Sequence, residues 1–474
     1  MYNQKWRRTA AEKKEGFCVI DKKKINRDIT KLAIPVVLEN MLQIMANVIT
    51  AAMIGRLISS DISAQGISQR VTQIYWALFR GIGIGVTVAA AISYGAGKLG
   101  RCRRIAEQTY LTFMPVAIFF TVITLLFPRQ LLGFFTDDAL ILARGVQYTR
   151  IAVWAVPFTV LTTINASAFN GQGNTKTPMY IAIFLNCVNV VVGYAFIFGK
   201  LGCPELGLIG AAIAYVVSQG LGGLLGLWLL YKPGGFFSRC QHGESFWKLD
   251  RECIREVVTT GMPAACENLF WQFSAVLLSK AILSYGSDCY AAYQLGLQAE
   301  MLCEMPSVGL LTTATQLGGK AIGMRDQPLF EAYYRQLLKV ASILAVLSCA
   351  ALFFFPGVFM GFLTNNPALY AIGVKYVFIM SFAQPPQVLS KIFTGMTRAA
   401  GYKRVPMIIS FIGIWCVRVP LALLSAWVFH LDITAIWWTI TIDQISRILL
   451  SIAIFKKKDI VHTIDRMNQQ EAIA

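Results

Sequence analysis

Nine ionisable side chains sit inside runs that are otherwise apolar: Glu39, Arg80, Glu267, Lys280, Glu300, Glu304, Arg418, Asp443 and Arg447. A charge at the centre of a lipid bilayer costs roughly 2.5–3.5 kcal/mol on insertion scales, so each needs a reason. Glu300 and Glu304 are four apart, on one face of a helix. Two carboxylates that close do not both ionise easily, which suits a proton or cation site. The alternative is that each bonds a neighbouring helix or faces a water-filled cleft. Asp443 and Arg447 share the spacing with opposite signs and can pair with each other, as a structural pair or as part of a site. Glu39 and Glu267 each follow a proline by four residues, in Pro35-Val36-Val37-Leu38-Glu39-Asn40 and Pro263-Ala264-Ala265-Cys266-Glu267-Asn268. Proline frees a backbone carbonyl one turn upstream and lets the helix bend. An acid beside a bend suits a cavity that opens and closes. Interhelical hydrogen bonding by each Glu-Asn pair is the other reading.

These residues need membrane-spanning elements to hold them. The chain has 474 residues, 56% apolar and 14% charged, against about 45–50% and about 25% in soluble domains. That composition describes an integral membrane protein. The first thirty-one residues are polar and basic, so no cleavable signal is expected and the first apolar run is a retained span. The net charge of +18 fits Lys and Arg gathered in cytoplasmic loops better than nucleic-acid binding. The eleven cysteines are scattered, with Cys187, Cys266, Cys349 and Cys416 inside apolar runs. They read as small buried hydrophobes, and no metal spacing is present. His430 is the only histidine near a span and has no motif around it, which leaves an embedded enzyme without converging groups. A phosphate-binding loop is also missing, since Gly97-Lys98 is followed by Leu99. Work would be drawn from an ion gradient, with no other cofactor.

A span needs about 20 mostly apolar residues. Twelve runs qualify, near 30–57, 66–97, 104–127, 139–168, 177–199 and 207–231, then 257–285, 292–323, 331–355, 368–398, 405–430 and 433–455. The expected organisation is a basic tail (1–31), a first lobe (32–231), a polar linker (232–256) containing Pro233-Gly234-Gly235 and His242, a second lobe (257–457) and a tail (458–474). Basic residues collect in alternate turns, as in Lys98, Arg101, Arg103 and Arg104, in the linker, and in Arg398, Lys403 and Arg404. The intervening turns are nearly bare (Asp288, Asn365-Asn366, Asp432). Both termini are therefore expected in the cytoplasm. The halves repeat in one register, 228 residues apart (35 to 263). Gly81 maps to Gly309, Gly95 to Gly323, Phe127-Pro128 to Phe355-Pro356, Gly133, Phe134 and Thr136 to Gly361, Phe362 and Thr364, and Gly173 to Gly401. An even number of spans per repeat puts the pseudo-twofold axis along the membrane normal. The expected fold is an all-α membrane protein, twelve transmembrane helices in two six-helix lobes, V-shaped about a central cleft. Glycine-rich faces (Gly81, Gly83, Gly85, Gly95; Gly220, Gly222, Gly223, Gly226) suit close helix packing.

From about residue 30 to 457 the sequence resembles the multidrug and toxic compound extrusion (MATE) transporters, prokaryotic type. The resemblance lies in Leu32-Ala33-Ile34-Pro35, Met53-Ile54-Gly55-Arg56-Leu57, Asn189 with Tyr194-Ala195-Phe196-Ile197-Phe198-Gly199, and Gly207 through Ala214. In the second half it lies in Gln294 through Glu300 to Pro306 and Gly309, in Trp415-x-x-Arg418-x-Pro420-Leu421, and in Ile442-Asp443-x-x-x-Arg447. It implies export of organic, cationic amphipathic compounds against inward proton or sodium flow, by alternating access, in the bacterial inner membrane. A monomer is expected. Many relatives carry an aspartate in the first span where this chain has Thr50, and a second in the fifth where it has Gly193, four after Asn189. Thr50 and Asn189 offer only neutral oxygens. Ion coupling is thus expected in the second lobe, on Glu267 and Glu300, with Glu39 a weaker candidate. Glu304, Asn268, Asn40, Asp443 and Arg418 complete the candidate set. Competing readings are a lipid-linked precursor flippase of the same superfamily, a major-facilitator transporter, and a transport-dead ligand-binding protein.

Overall fold

The computed structural model describes residues 22–54, 59–134, 138–200, 202–239, 248–364 and 366–473. The tail up to 21, residues 55–57 of the first-span motif, Thr136, His242 and Asn365 lie outside the described residues. The first half is built from α1 (Lys22–Ile54), α2 (Ser59–Gly95), α3 (Leu99–Leu126), the short α4 (Pro128–Gly133), α5 (Ala139–Ala152), α6 (Ala155–Gly171), α7 (Lys176–Ile197) and α8 (Leu208–Tyr231). The second half holds α9 (Arg251–Leu283), α10 (Ser287–Met324), α11 (Gln327–Phe354), α12 (Pro356–Leu363) and α13 (Pro367–Ala399). A mixed run follows, in which α14 (Val405–Phe411) and α15 (Val419–Leu423) are each succeeded by a π-helical stretch. Then come α16 (Ile433–Lys457) and α17 (Thr463–Ile473). Among the described residues eight helices are long and apolar enough to cross a membrane, nine if the bent α5–α6 pair is one span. The helices α9, α10 and α13 have the length and are more polar, because they carry Glu267, Glu300, Glu304 and Lys391 in their interiors.

The repeat is visible in the backbone. Helix α11 begins and ends 228 residues after α3, and α10 and α13 begin 228 after α2 and α5. Phe127 breaks the chain at φ −122°, ψ 42°, and Phe355 at φ −123°, ψ 34°. Each precedes a proline that starts a short helix, where its missing N–H costs nothing. Gly173 and Gly401 both end a helix with positive φ (79° and 87°), the left-handed turn glycine adopts without strain. Phe134 and its mate Phe362 are 86% and 87% exposed, as lipid-facing groups are. Asp138, Asp250, Asp326, Asn366 and Asp432 cap the helices that follow them, each accepting from backbone N–H groups of the first turn.

Two expected spans differ in detail. The run 139–168 bends by 49° between α5 and α6. Pro157 lies in the first turn of α6, where its ring prevents the preceding helix from running through. The run 405–430 widens into π turns at Ile412–Arg418 and Leu424–Val428. Pro420 lies between them and cannot donate to the carbonyl one turn back. Elsewhere a proline is accommodated from outside: Pro35 frees the carbonyl of Lys31, and the Thr175 hydroxyl donates to it at 3.3 Å.

The two halves meet through contacts that recur with the partners exchanged. Gly81 of α2 lies against Ala265 of α9, and Gly309 of α10 lies against Val37 of α1. Gly95 faces the carbonyl of Lys320, and Gly323 faces the carbonyl of Ile92. Each pair becomes the other on adding 228. A Cβ at any of these glycines would collide with the opposite helix, so the close approach requires them. The start of α1 (Ile25, Ile29, Leu32, Ala33) packs into a second-half core with Leu310, Leu317, Tyr333 and Leu337. Correspondingly Cys253 and Val257 of α9 pack with Ile82, Val86, Ala89 and Ile105. These contacts gather toward the C-terminal ends of α2 and α10. Toward the other end Met45, Ile62 and Ile74 are exposed.

Candidate functional site

The second half concentrates its polar chemistry on α9, α10, α13 and the stretch from α14 to α16. Glu300 is buried on α10 and accepts from the Tyr376 hydroxyl of α13 at 2.8 Å. Tyr376 is held edge-on between Tyr293 (5.4 Å) and Trp437 (5.5 Å). One turn along, Glu304 pairs with Lys391 of α13, which also donates to the Ser307 hydroxyl at 2.9 Å. Each of the two acids bonds a neighbouring helix, and their immediate partners differ.

Glu267 of α9 pairs with Arg398 of α13 and accepts from the Ser410 hydroxyl at 3.1 Å. Arg398 was expected in a basic turn. It lies instead in the last turn of α13, 4% exposed, because Gly401 ends the helix only after it and the acid on α9 draws it inward. Asn268 reaches across to the first half, its amide donating to the Ala77 carbonyl of α2 at 3.4 Å. Asn40, its repeat mate, bonds within its own helix to the Val36 carbonyl at 2.8 Å. The repeated Glu-Asn pairs thus do different things in the two halves.

Asp443 is fully buried and receives two bonds from Arg447, at 2.7 and 2.8 Å. Arg418 adds a third contact, its Nη2 2.7 Å from the same carboxylate. That contact lies off the line a hydrogen bond needs, so Arg418 Nε and Nη2 are left as buried donors without an acceptor among the described residues. The Trp271 ring faces its guanidinium at 5.7 Å. Gly413 lets the π-helical stretch sit directly on this cluster, since a Cβ there would meet Arg447 Nε at 2.6 Å.

The first half contributes Glu39 and Arg80, both half-buried. The guanidinium of Arg80 lies 4.6 Å from the Trp76 ring, and its acidic neighbours are Glu304 and Glu39. It therefore sits among α1, α2 and α10, between the halves. Deeper in the first half the Thr50 hydroxyl donates to the Asn189 side-chain carbonyl at 3.1 Å, and the Asn189 amide to Ser218 at 3.3 Å. This cluster is neutral. Gly193 beside it faces Met53, Ala214 and Ile197, an apolar surrounding. Among the described residues no group of three or more His, Cys, Asp or Glu has the arrangement of a metal site.

Lys391, Arg398 and Tyr376 are the members that sequence reasoning missed. Lys391 lies in an apolar run and falls under the rule that singled out Glu300, so its signal was present. Arg398 looked like a turn residue because three cations follow each other closely near a span end. Tyr376 has no sequence mark beyond its repeat mate, Tyr148.

The MatE family model matches the chain twice, over residues 35–195 and 263–424, the two matches starting 228 residues apart (35 and 263). A "Probable multidrug resistance protein NorM" from Thermotoga maritima is 27% identical over 432 residues, covering 91% of this chain and 92% of that protein. "Probable multidrug resistance protein YoeA" from Bacillus subtilis is 24% identical, covering 87% and 89%. Among solved structures, "Outward-facing conformation of a multidrug resistance MATE family transporter of the MOP superfamily" superposes with a TM-score of 0.85 at 17% identity, over 93% of this chain and 97% of that one. A Pyrococcus furiosus structure, "Reverse polarity of binding pocket suggests different function of a MOP superfamily transporter", also scores 0.85, at 18% identity over 93% and 96%.

Proposed function

This chain belongs to the MatE family, and from that membership we propose that it exports organic compounds through the membrane, driven by inward flow of protons or sodium ions. The observation that carries the reading is a layer of charges between and beside the halves, set in helices that otherwise bury apolar surface. It comprises Glu39 and Arg80 in the first half and Glu267, Glu300, Glu304, Lys391 and Arg398 in the second. The names of the relatives, multidrug resistance proteins, point the same way.

Coupling is assigned to the second half, on Glu267 and Glu300, with Glu39 across the cleft. The first-half cluster of Thr50, Asn189 and Ser218 supplies only neutral groups. An arriving proton or sodium ion competes with Arg398 for Glu267, or with the Tyr376 hydroxyl for Glu300. Either exchange loosens a tie from α13 to α9 or to α10. A buried charge stripped of its partner is costly, so ion occupancy and helix arrangement are linked. With both termini in the cytoplasm, the joined ends of α2 and α10 lie on the cytoplasmic side and the cleft opens outward. Export then requires the glycine contacts to part on that side while the opposite rims approach, with one state open at a time.

Reconstituted protein should move a fluorescent amphipathic dye under an imposed proton or sodium gradient. The double variant Glu267→Gln, Glu300→Gln should insert and abolish that movement. Retained gradient-driven efflux in the double variant would remove the coupling role from these carboxylates.

A further inference from the structure

Lys280 is exposed in the last turn of α9. Of Arg80, Lys391, Arg398, Arg418 and Arg447, four lie against a carboxylate: Lys391 on Glu304, Arg398 on Glu267, and Arg418 and Arg447 on Asp443. Arg80 differs. Its close contact is the Trp76 ring, 4.6 Å from the guanidinium carbon, and it has no hydrogen bond or ion pair among the described residues. Glu39 and Glu304 are near enough to act on it through space, not to bond it. A guanidinium carries five donors in a planar fork. Arg80 is half-buried and its nitrogens are not sealed from solvent, so the fork is open to a ligand's acceptor where a fixed structural cation would be paired within the protein. Packing does not demand arginine here either. Adding 228 to 80 gives Val308, so the equivalent place in the other half is filled by an apolar side chain. Glu304, the second-half acid that acts on Arg80 through space, is already matched by Lys391.

We propose that Arg80 is the recognition group for a carboxylate on the exported compound, which makes the preferred substrates amphipaths that carry an anionic group, zwitterions included, rather than simple organic cations. This rests on the efflux reading above. The fork receives the carboxylate bidentately, and Trp76, on the preceding turn, lies alongside to stack an adjoining flat ring. Glu39, near enough to act on the guanidinium through space, is placed to receive an ammonium of the same molecule. The cations and acids at this depth then read as one balanced receptor. An ion that neutralises Glu39 removes the partner of the ammonium, so substrate and coupling ion exclude each other at that acid, as an exchanger requires. Substrate and coupling ion are thereby linked through Glu39, beside the arginine.

The test compares a fluorescent amphipath bearing an ammonium and a carboxylate with its methyl ester, which is cationic only. Both are assayed in phosphatidylcholine vesicles containing the full chain, under the same gradient. A charge-assisted bidentate contact predicts that wild-type protein prefers the acid by at least about tenfold, and that Arg80→Gln brings the ratio to about one. Arg80→Lys, which keeps the charge and loses the fork, should fall between them. Equal handling of acid and ester by wild type overturns the proposal and leaves the efflux reading intact. Movement of neither compound under any gradient overturns both. If Arg80→Gln transports nothing, tryptophan-fluorescence titration of the purified variant decides: a preference for the acid that persists without the arginine overturns the proposal.

Discussion

The side chains at depth show how a membrane protein keeps charge where lipid forbids it. Glu267, Glu300 and Glu304 are each matched to a donor on another helix, so these groups act as interhelical ties as well as candidate ion sites. Glu304 and Lys391 make a clear case, since their side chains are only 22% and 16% exposed. Removing one member leaves a buried charge unpaired, worth about 3–5 kcal/mol. Lys391→Met should lower the thermal unfolding midpoint of the purified protein in detergent by several degrees. Adding Glu304→Gln should recover much of the loss, because both charges are then gone. A double variant less stable than the single one would mean that the pair is not the tie the geometry describes. The acids were legible one at a time, since an ionisable residue in an apolar run stands out. Their partners were not, because pairing across helices depends on which helices become neighbours, and no spacing along the chain encodes that for Glu267 and Arg398. The Asp443–Arg447 pair was legible, four apart on one helix.

Among the elements, the glycines decide how closely the halves approach. Gly95 and Gly323 make the same contact in mirror roles, each beneath a carbonyl of the other half. An added methyl group forces the backbones apart, at a cost of about 1–3 kcal/mol for overpacking. Gly95→Ala and Gly323→Ala should each widen the joined end, and by similar amounts. Spin labels on Lys98 and Arg325 would report it as a longer distance. A large effect from one and none from the other would show that the repeat is not an equivalence in packing. The repeat itself was plain from the sequence, as were most helix limits, because proline and glycine punctuate both halves at the same places. The bend between α5 and α6 was hidden, since the apolar run continues through it, and so was the π widening around Pro420.

At the scale of the whole molecule, the halves join near the C-terminal ends of α2 and α10 and expose Met45, Ile62 and Ile74 at the other end. In right-side-out vesicles a membrane-impermeant maleimide should label Met45→Cys and spare Lys24→Cys, each in a cysteine-free background. An imposed ion gradient that turns the cleft over should slow labelling at Met45→Cys. Labelling of Lys24→Cys from outside would reverse the assigned orientation.

The contacts exchanged between the halves also speak to ancestry. An interface in which residue i meets j, and the mate of j meets the mate of i, is what two copies of one chain form about a twofold axis. A half-length forebear working as a homodimer would have placed every substitution at the axis twice. Once the copies were fused, each half could diverge alone. The mates of Glu304, Lys391, Arg398 and Asp443 are now Trp76, Thr163, Asn170 and Tyr215, and the mate of Arg80 is Val308. A lopsided charge pattern on a symmetric frame is open to a fused chain and closed to a pair of identical subunits.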